Sequence, residues 1–230
     1  MDIDPTALIA TRHTLHALAE HVLMADLHHH TGRIGLRAAP GGLATPVYQV
    51  GSGARRLLVT GSEVRAELDG TVVAGAPITT LATARSALGV EAAAPTDVYD
   101  LATDGDDRPL PIDVDAMAAM AAMFAAGDTA LRSLRAEADA ERERGDGEIT
   151  TVQLWPEHLD LACTIDEVNF GASPGDDGHD APYLYVGPWA LPPPAHEPWN
   201  EPFGASRPAL PPPSAIEALG WFRSARAVVP

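Results

Sequence analysis

The chain has 230 residues, with 32 acidic residues against 15 basic ones and a formal net charge of −17. Every basic residue is arginine, so a Schiff-base lysine, a pyridoxal-phosphate lysine and a Walker A lysine are all excluded. The acidic balance argues against nucleic acid and anionic membrane as partners, and a single cysteine excludes a disulfide framework.

The N-terminus, MDIDPTAL, reads as a capped helix start rather than a signal peptide, and no apolar run approaches the length of a membrane span. A cytoplasmic location is therefore expected. Asp4 and Pro5 stand at N-cap and N1 of a first helix reaching about Leu27, with Leu8, Thr11, Leu15, Leu18, Ala19 and Val22 on one apolar stripe. His13, His16 and Glu20 fall on a second stripe, read as a solvated face or a site for metal or proton transfer. His28, His29 and His30 suit the helix C-terminus, and Gly32 is its stop.

Short strands follow at 33–36, 45–50 and 55–60. Glu63–Leu68, Asp69-Gly70 and Thr71–Ala74 alternate cleanly about a type I′ turn pair, which predicts a hairpin. Thr79–Leu88 is a short helix stopped by Gly89. Residues 97–115 hold seven aspartates and one arginine without EF-hand spacing, and read as an exposed acidic linker. Asp113 or Asp115 caps a long helix, 116–145, that buries Met117, Met120, Phe124, Leu131 and Leu134 and kinks or breaks at Gly127-Asp128.

A second strand group occupies 149–189. From Trp155 to Ile165 the apolar residues alternate with His158, Asp160, Thr164 and Asp166, as in a half-buried strand. Asp166-Glu167 turns the chain into another short strand, and Gly171–Ala181 is a polar loop. Tyr183 and Tyr185 then share one strand face. Between Pro188 and Pro213 there are ten prolines in 26 residues, which predicts a surface wrap, held down by Trp199 and Phe203. Ser214 caps a terminal helix.

Several constellations carry chemistry. Gly171-Ala172-Ser173-Pro174-Gly175 matches G-x-S-x-G, but Pro174 has no N–H for an oxyanion, so a turn is the reading. Cys163 lies on the apolar face of its strand and is read as buried and inert. His158 and Asp160, with His179 or His196 as a third ligand, have the composition of a non-haem iron facial triad, and Arg207 could then hold a co-substrate carboxylate. Asp176, Asp177, His179 and Asp180 form a loop cluster suited either to a divalent cation or to plain turn formation.

The order of motifs resembles a family of bacterial proteins known only as a domain of unknown function. The residues that carry the likeness are Thr14-Leu15-His16 on the first helix, the PGGLATP segment, the ALGV helix end, VQLWPEHLDLA at 152–162 and YLYVGPW at 183–189. The family has a T-L-H helix, an R-G-L-T-T segment, an A-L-G helix end and a long helix. A strand of the form V-H-F-F-W-G-S-F-D-L-A and an aromatic F-Y-A-Y-A-Y-P strand follow. Leu15, His16, Asp160, Leu161 and Ala162 match it; His158 does not, since the family places a small residue there and its histidine at Gln153. The resemblance implies a shared site containing His16, Asp160 and the Tyr183–Tyr185 strand, and implies no activity.

Together these readings give one domain over 1–230, α+β in class. They predict a mainly antiparallel twisted sheet covered by three to four helices, with a proline-rich C-terminal wrap. The functional expectation is a small-molecule site lined by His16, His158, Asp160, Tyr183, Tyr185 and Trp189. The alternative is a metal-dependent enzyme using a divalent metal at His158, Asp160, His179 and His196. Oligomeric state is left open.

Overall fold

The computed structural model describes residues 3–141, 148–190 and 198–229. Asp4 caps the first helix as expected, its carboxylate accepting the Thr6 N–H at 3.0 Å, with Pro5 in the first turn. Helix α1 (Pro5–Leu18) runs through a π-helical turn, Ala19–Met24, into α2 (Ala25–Thr31). The Arg85 guanidinium donates to the His21 carbonyl within that wider turn. Gly32, at φ 69°, ends the helix four residues beyond the predicted Leu27.

The α+β class holds, with antiparallel strands throughout, divided between two sheets. The first contains β1 (Arg37–Ala39), β2 (Gly42–Ala44), β3 (Tyr48–Val50), β4 (Gly53–Thr60), β5 (Glu63–Leu68) and β6 (Thr71–Pro77). Its order is β1-β2-β4-β5-β6, with β3 also paired to β4. The Asp69-Gly70 hairpin forms as predicted, both residues at positive φ. The second sheet contains β7 (Gln153–Trp155), β8 (Asp160–Ile165), β9 (Val168–Ser173), β10 (Tyr183–Pro188) and β11 (Ala205–Pro208), in the order β11-β10-β9-β8-β7. The proline-rich segment thus supplies an edge strand, where a missing N–H costs no ladder bond. Trp199 packs down as expected.

Between the sheets lies α4 (Val114–Glu141), against β1 and β2 on one side and β8 and β9 on the other. Asp113 caps it, accepting the Ala116 N–H at 2.9 Å. The helix continues through Gly127-Asp128 without a break. Contrary to the sequence expectation, α4 is long and apolar enough to cross a membrane by composition alone. More than half buried inside the protein, it is accounted for as the central core helix. One hydrophobic cluster runs from Leu15 and Leu18 through Met120 and Phe124 to Phe170 and Phe222, spanning both sheets. The short helix α3 (Leu81–Leu88) covers β5 and β6, and α5 (Ala215–Arg226) clamps α4 through Arg223–Glu137 and Arg226–Glu141 ion pairs.

Several segments depart from the sequence reading: the strand expected at 33–36 forms at Arg37–Ala39, only Tyr48–Val50 of the one expected at 45–50 is strand, and β9 runs to Ser173, into the expected 171–181 loop. Trp155–Ile165 is not one strand but a hairpin. Pro156 cannot extend the ladder, residues 156–159 turn, and Leu159 takes a φ of 53° while burying its side chain. Residues 97–115 are not a free linker. Leu110 is buried, the Ala102 and Thr103 amides bond to Glu20, and the Ala82 amide bonds to Asp107.

A candidate ligand cleft

A cleft of about 1060 Å³ opens where α1, the 102–111 segment, the 157–160 turn and one face of β9 and β10 meet. The first helix contributes Arg12, His13 and His16, with Arg12 four and His13 three residues before His16. The predicted second stripe therefore lies largely inside the protein: His16 is partly buried and Glu20 fully so, while His13 keeps its exposure. Glu20 is held by the Ala102 and Thr103 amides, both at 2.9 Å, and by the Thr103 hydroxyl at 2.6 Å. Those bonds fix the acidic segment as a wall of the cleft.

Burial holds the His16 imidazole below its ordinary pKa, against the pull of Glu20. The neutral ring donates from Nε2 to the Pro156 carbonyl at 2.8 Å, so Nδ1 carries the lone pair.

Asp160 starts β8 at the edge of the 156–159 turn and is 7% exposed. The Tyr185 hydroxyl donates to its Oδ2. Its Oδ1 is buried with no partner among the described residues. Burial pushes this carboxyl above the usual carboxylate range, although Tyr185 pulls the other way. Tyr185 can reach across because it pairs with Gly171: a Cβ there would lie 2.3 Å from the tyrosine ring.

Two residues earlier on the same strand face, Tyr183 donates to Asp176 Oδ2. Burial also raises Asp176, but hydrogen bonds from Tyr183 and from the Gly178 and His179 amides outweigh it and leave the carboxyl below its ordinary value. Asp160 and Asp176, both lining the cleft, are thus tuned in opposite directions. His179 stacks near Tyr183, with ring centroids 4.4 Å apart, and bonds Glu201 at 2.9 Å. Its Nδ1 lies 3.4 Å from Asp176 Oδ1, an ionic contact rather than a hydrogen bond. Hydrogen bonding to Glu201 raises its pKa.

Of the six residues expected to bind a small molecule, five line the cleft: His16, His158, Asp160, Tyr183 and Tyr185. His158 does so from the turn, with its side chain 70% exposed, and does not share a strand face with Asp160. Trp189 lies elsewhere. It is 56% exposed beyond the end of β10, beside Glu148, Asp166 and Glu167, its amide donating to the Glu167 carbonyl at 2.9 Å and its ring N–H to Asn169 at 3.2 Å.

The metal arrangement expected of His158, Asp160, His179 and His196 is not formed among the described residues. His179 is engaged with Glu201, His196 lies outside the described residues, and no three His, Cys, Asp or Glu side chains converge on a metal position. The 176–180 cluster is a turn: Asp176 Oδ1 accepts the Gly178 and His179 amides. Ser173 bonds locally to Gly175 and opens no helix, as the rejection of a nucleophile elbow requires. Cys163 is buried and its thiol is pushed up to about 12 by burial.

Arg12 was not singled out from the sequence. It is 6% exposed, and its Nη1 makes two long bonds, to the His179 and Asp180 carbonyls at 3.3 and 3.4 Å. The available signal was its position one turn before His16. Phe203, from the C-terminal segment, closes the far rim near Tyr185, with ring centroids 6.4 Å apart. Comparison with protein-family models, curated proteins and solved structures finds no match to this chain.

Proposed function

We propose that this chain binds a small organic molecule in the cleft between α1 and the Tyr183–Tyr185 face of β10. The observation that carries this reading is Asp160 Oδ1, a buried carboxyl oxygen beside the cleft without a hydrogen-bond partner among the described residues. A buried polar atom left without a partner costs about 1–3 kcal/mol, a cost that a bound donor removes. The cleft volume is at the upper limit of the range for small-molecule sites, and its walls set the rings of Tyr183, Tyr185 and Phe203 among many polar and charged side chains. The net charge of −17 supports a partner that is neither nucleic acid nor anionic membrane, and a cytoplasmic setting belongs to the same proposal. So does kinship with the bacterial family, whose matching His16 and Asp160 fall in this one cleft.

A thermal-shift screen of a metabolite-like library tests the reading, run in parallel on wild type and on Ala10→Trp, which fills the cleft at a lining position. Compounds that raise the melting temperature of wild type and not of the variant support it. A library in which nothing distinguishes the two proteins sinks it.

A further inference from the structure

Four charged side chains are buried among the described residues: Arg12, Glu20, Asp26 and Asp160. Two are fully satisfied. Glu20 accepts three hydrogen bonds. Asp26 receives the Tyr48 hydroxyl and the Arg55 Nε–H at 2.8 Å, with His30 at 3.7 Å. Neither is among the cleft-lining residues, whereas Arg12 and Asp160 both are. These two are the ones left incomplete. Asp160 keeps Oδ1 unpartnered. Arg12 uses one nitrogen for two long carbonyl bonds, and its Nε and Nη2 donors have no partner among the described residues. Among the described residues no carboxylate lies within 4.0 Å of it, whereas eight other arginines form such pairs.

A guanidinium buried without a counter-charge is unusual; the other described arginines without such a pair, Arg33, Arg37, Arg85 and Arg207, are exposed or half-buried. The loop passing beneath it is shaped to leave it free. Gly175 has a φ of 109°, and a Cβ there would lie 2.4 Å from Arg12 Nη1. A planar fork of N–H donors on a nearly buried side chain, with Nε and Nη2 unpartnered among the described residues, matches an oxyanion, either carboxylate or phosphate.

We propose that the ligand of this cleft is a small oxyanion with a second polar group: its carboxylate or phosphate sits on Arg12 and a hydroxyl or ammonium on it donates to Asp160 Oδ1. This rests on the reading that the cleft holds a small molecule, and assigns that molecule its class. The burial that raises the Asp160 carboxyl fits an oxygen left without a donor until the ligand supplies one.

The test uses the full ¹⁵N-labelled chain at constant ionic strength. The probes are acetate, glycolate, inorganic phosphate and glycerol phosphate, with uncharged glycolamide and glycerol as controls. The readout is the Arg12 Nε–H resonance, assigned by its disappearance in Arg12→Lys. The expected result is a saturable shift of that resonance with at least one carboxylate or phosphate, and none with chloride or the controls. The two families of anion distinguish carboxylate from phosphate. Glycolate is expected to bind about fivefold more tightly than acetate, the effect of one added hydrogen bond, and to lose that advantage in Asp160→Ala. Should Asp160→Ala fail to fold, the glycolate-to-acetate ratio in wild type decides the point alone. An Arg12 signal unmoved by all four anions, or moved equally by chloride, overturns the proposal. Equal affinity for glycolate and acetate overturns the part assigned to Asp160. Saturable binding of glycolamide or glycerol that bypasses Arg12 overturns the anion assignment while the small-molecule reading stands.

Discussion

The Tyr185 ring lies across Gly171, its partner on β9, and that contact is what lets the phenol reach Asp160. A methyl group at position 171 would come within 2.3 Å of the ring. Gly171→Ala is therefore expected to cost about 1–3 kcal/mol, as overpacking does, and to separate Tyr185 from Asp160. Urea unfolding measures the cost. In a Tyr185→Leu background the penalty should shrink, because the ring that clashes is gone. An equal penalty in both backgrounds would refute the contact as its cause.

Asp160→Asn removes a buried charge. In wild type the unfolded carboxyl ionises from its ordinary 3.8 upward, while burial makes the folded one hold its proton to higher pH. Between those two values the unfolded state binds fewer protons, so wild-type stability falls as pH rises. The variant lacks this loss. Its melting temperature is expected to gain on wild type across that window and to keep the gain above it. A difference independent of pH would contradict the assignment.

His179 contributes with the opposite sign. Its folded pKa is raised above 6.5, chiefly by hydrogen bonding to Glu201. Its contribution is complete below 6.5 and is lost as pH rises through the folded value. Glu201→Gln is expected to bring the His179 titration midpoint down toward 6.5, read from the imidazole resonances as a function of pH. The partly exposed pair should also weaken with salt.

Glu20 anchors the cleft wall, so Glu20→Ala should loosen it. Three bonds to one buried carboxylate disappear, at a cost on the order of 3 kcal/mol. Hydrogen exchange of the Ala102 and Thr103 amides should accelerate well beyond the change in the rest of the chain. Uniform acceleration would mean that the residue supports only global stability.

Elements whose signals were local could be read from the sequence. Asp4-Pro5, Asp69-Gly70 and the Ser214 capping box each specify a boundary within four residues, and each formed. The 155–165 hairpin escaped because alternation persists through its turn, and a left-handed Leu159 gives no compositional warning. His16, Asp160 and Tyr185, which the family resemblance grouped rather than any local signal, line one cleft. The place of Arg12 and of the 102–111 segment was not legible, because it depends on contacts across 80 or more positions, such as that between Glu20 and Ala102. Trp189 shares strand parity with Tyr183 and Tyr185, but β10 stops at Pro188, so parity no longer governs where it points.

The π-helical turn at Ala19–Met24 sets the rotational phase between the two ends of the first helix. On its N-terminal side Arg12 and His16 face the second sheet's cleft; on its C-terminal side Asp26 meets Tyr48 and Arg55 of the first sheet. Each α-helical residue advances the azimuth by about 100°. Deleting one residue to restore regular pitch would rotate one keyed end against the other, and either the cleft or the Asp26 cluster would lose its residues. The helix works as a shaft fitted to two sockets. Within it, the number of residues between the sockets is constrained more tightly than the identity of those residues.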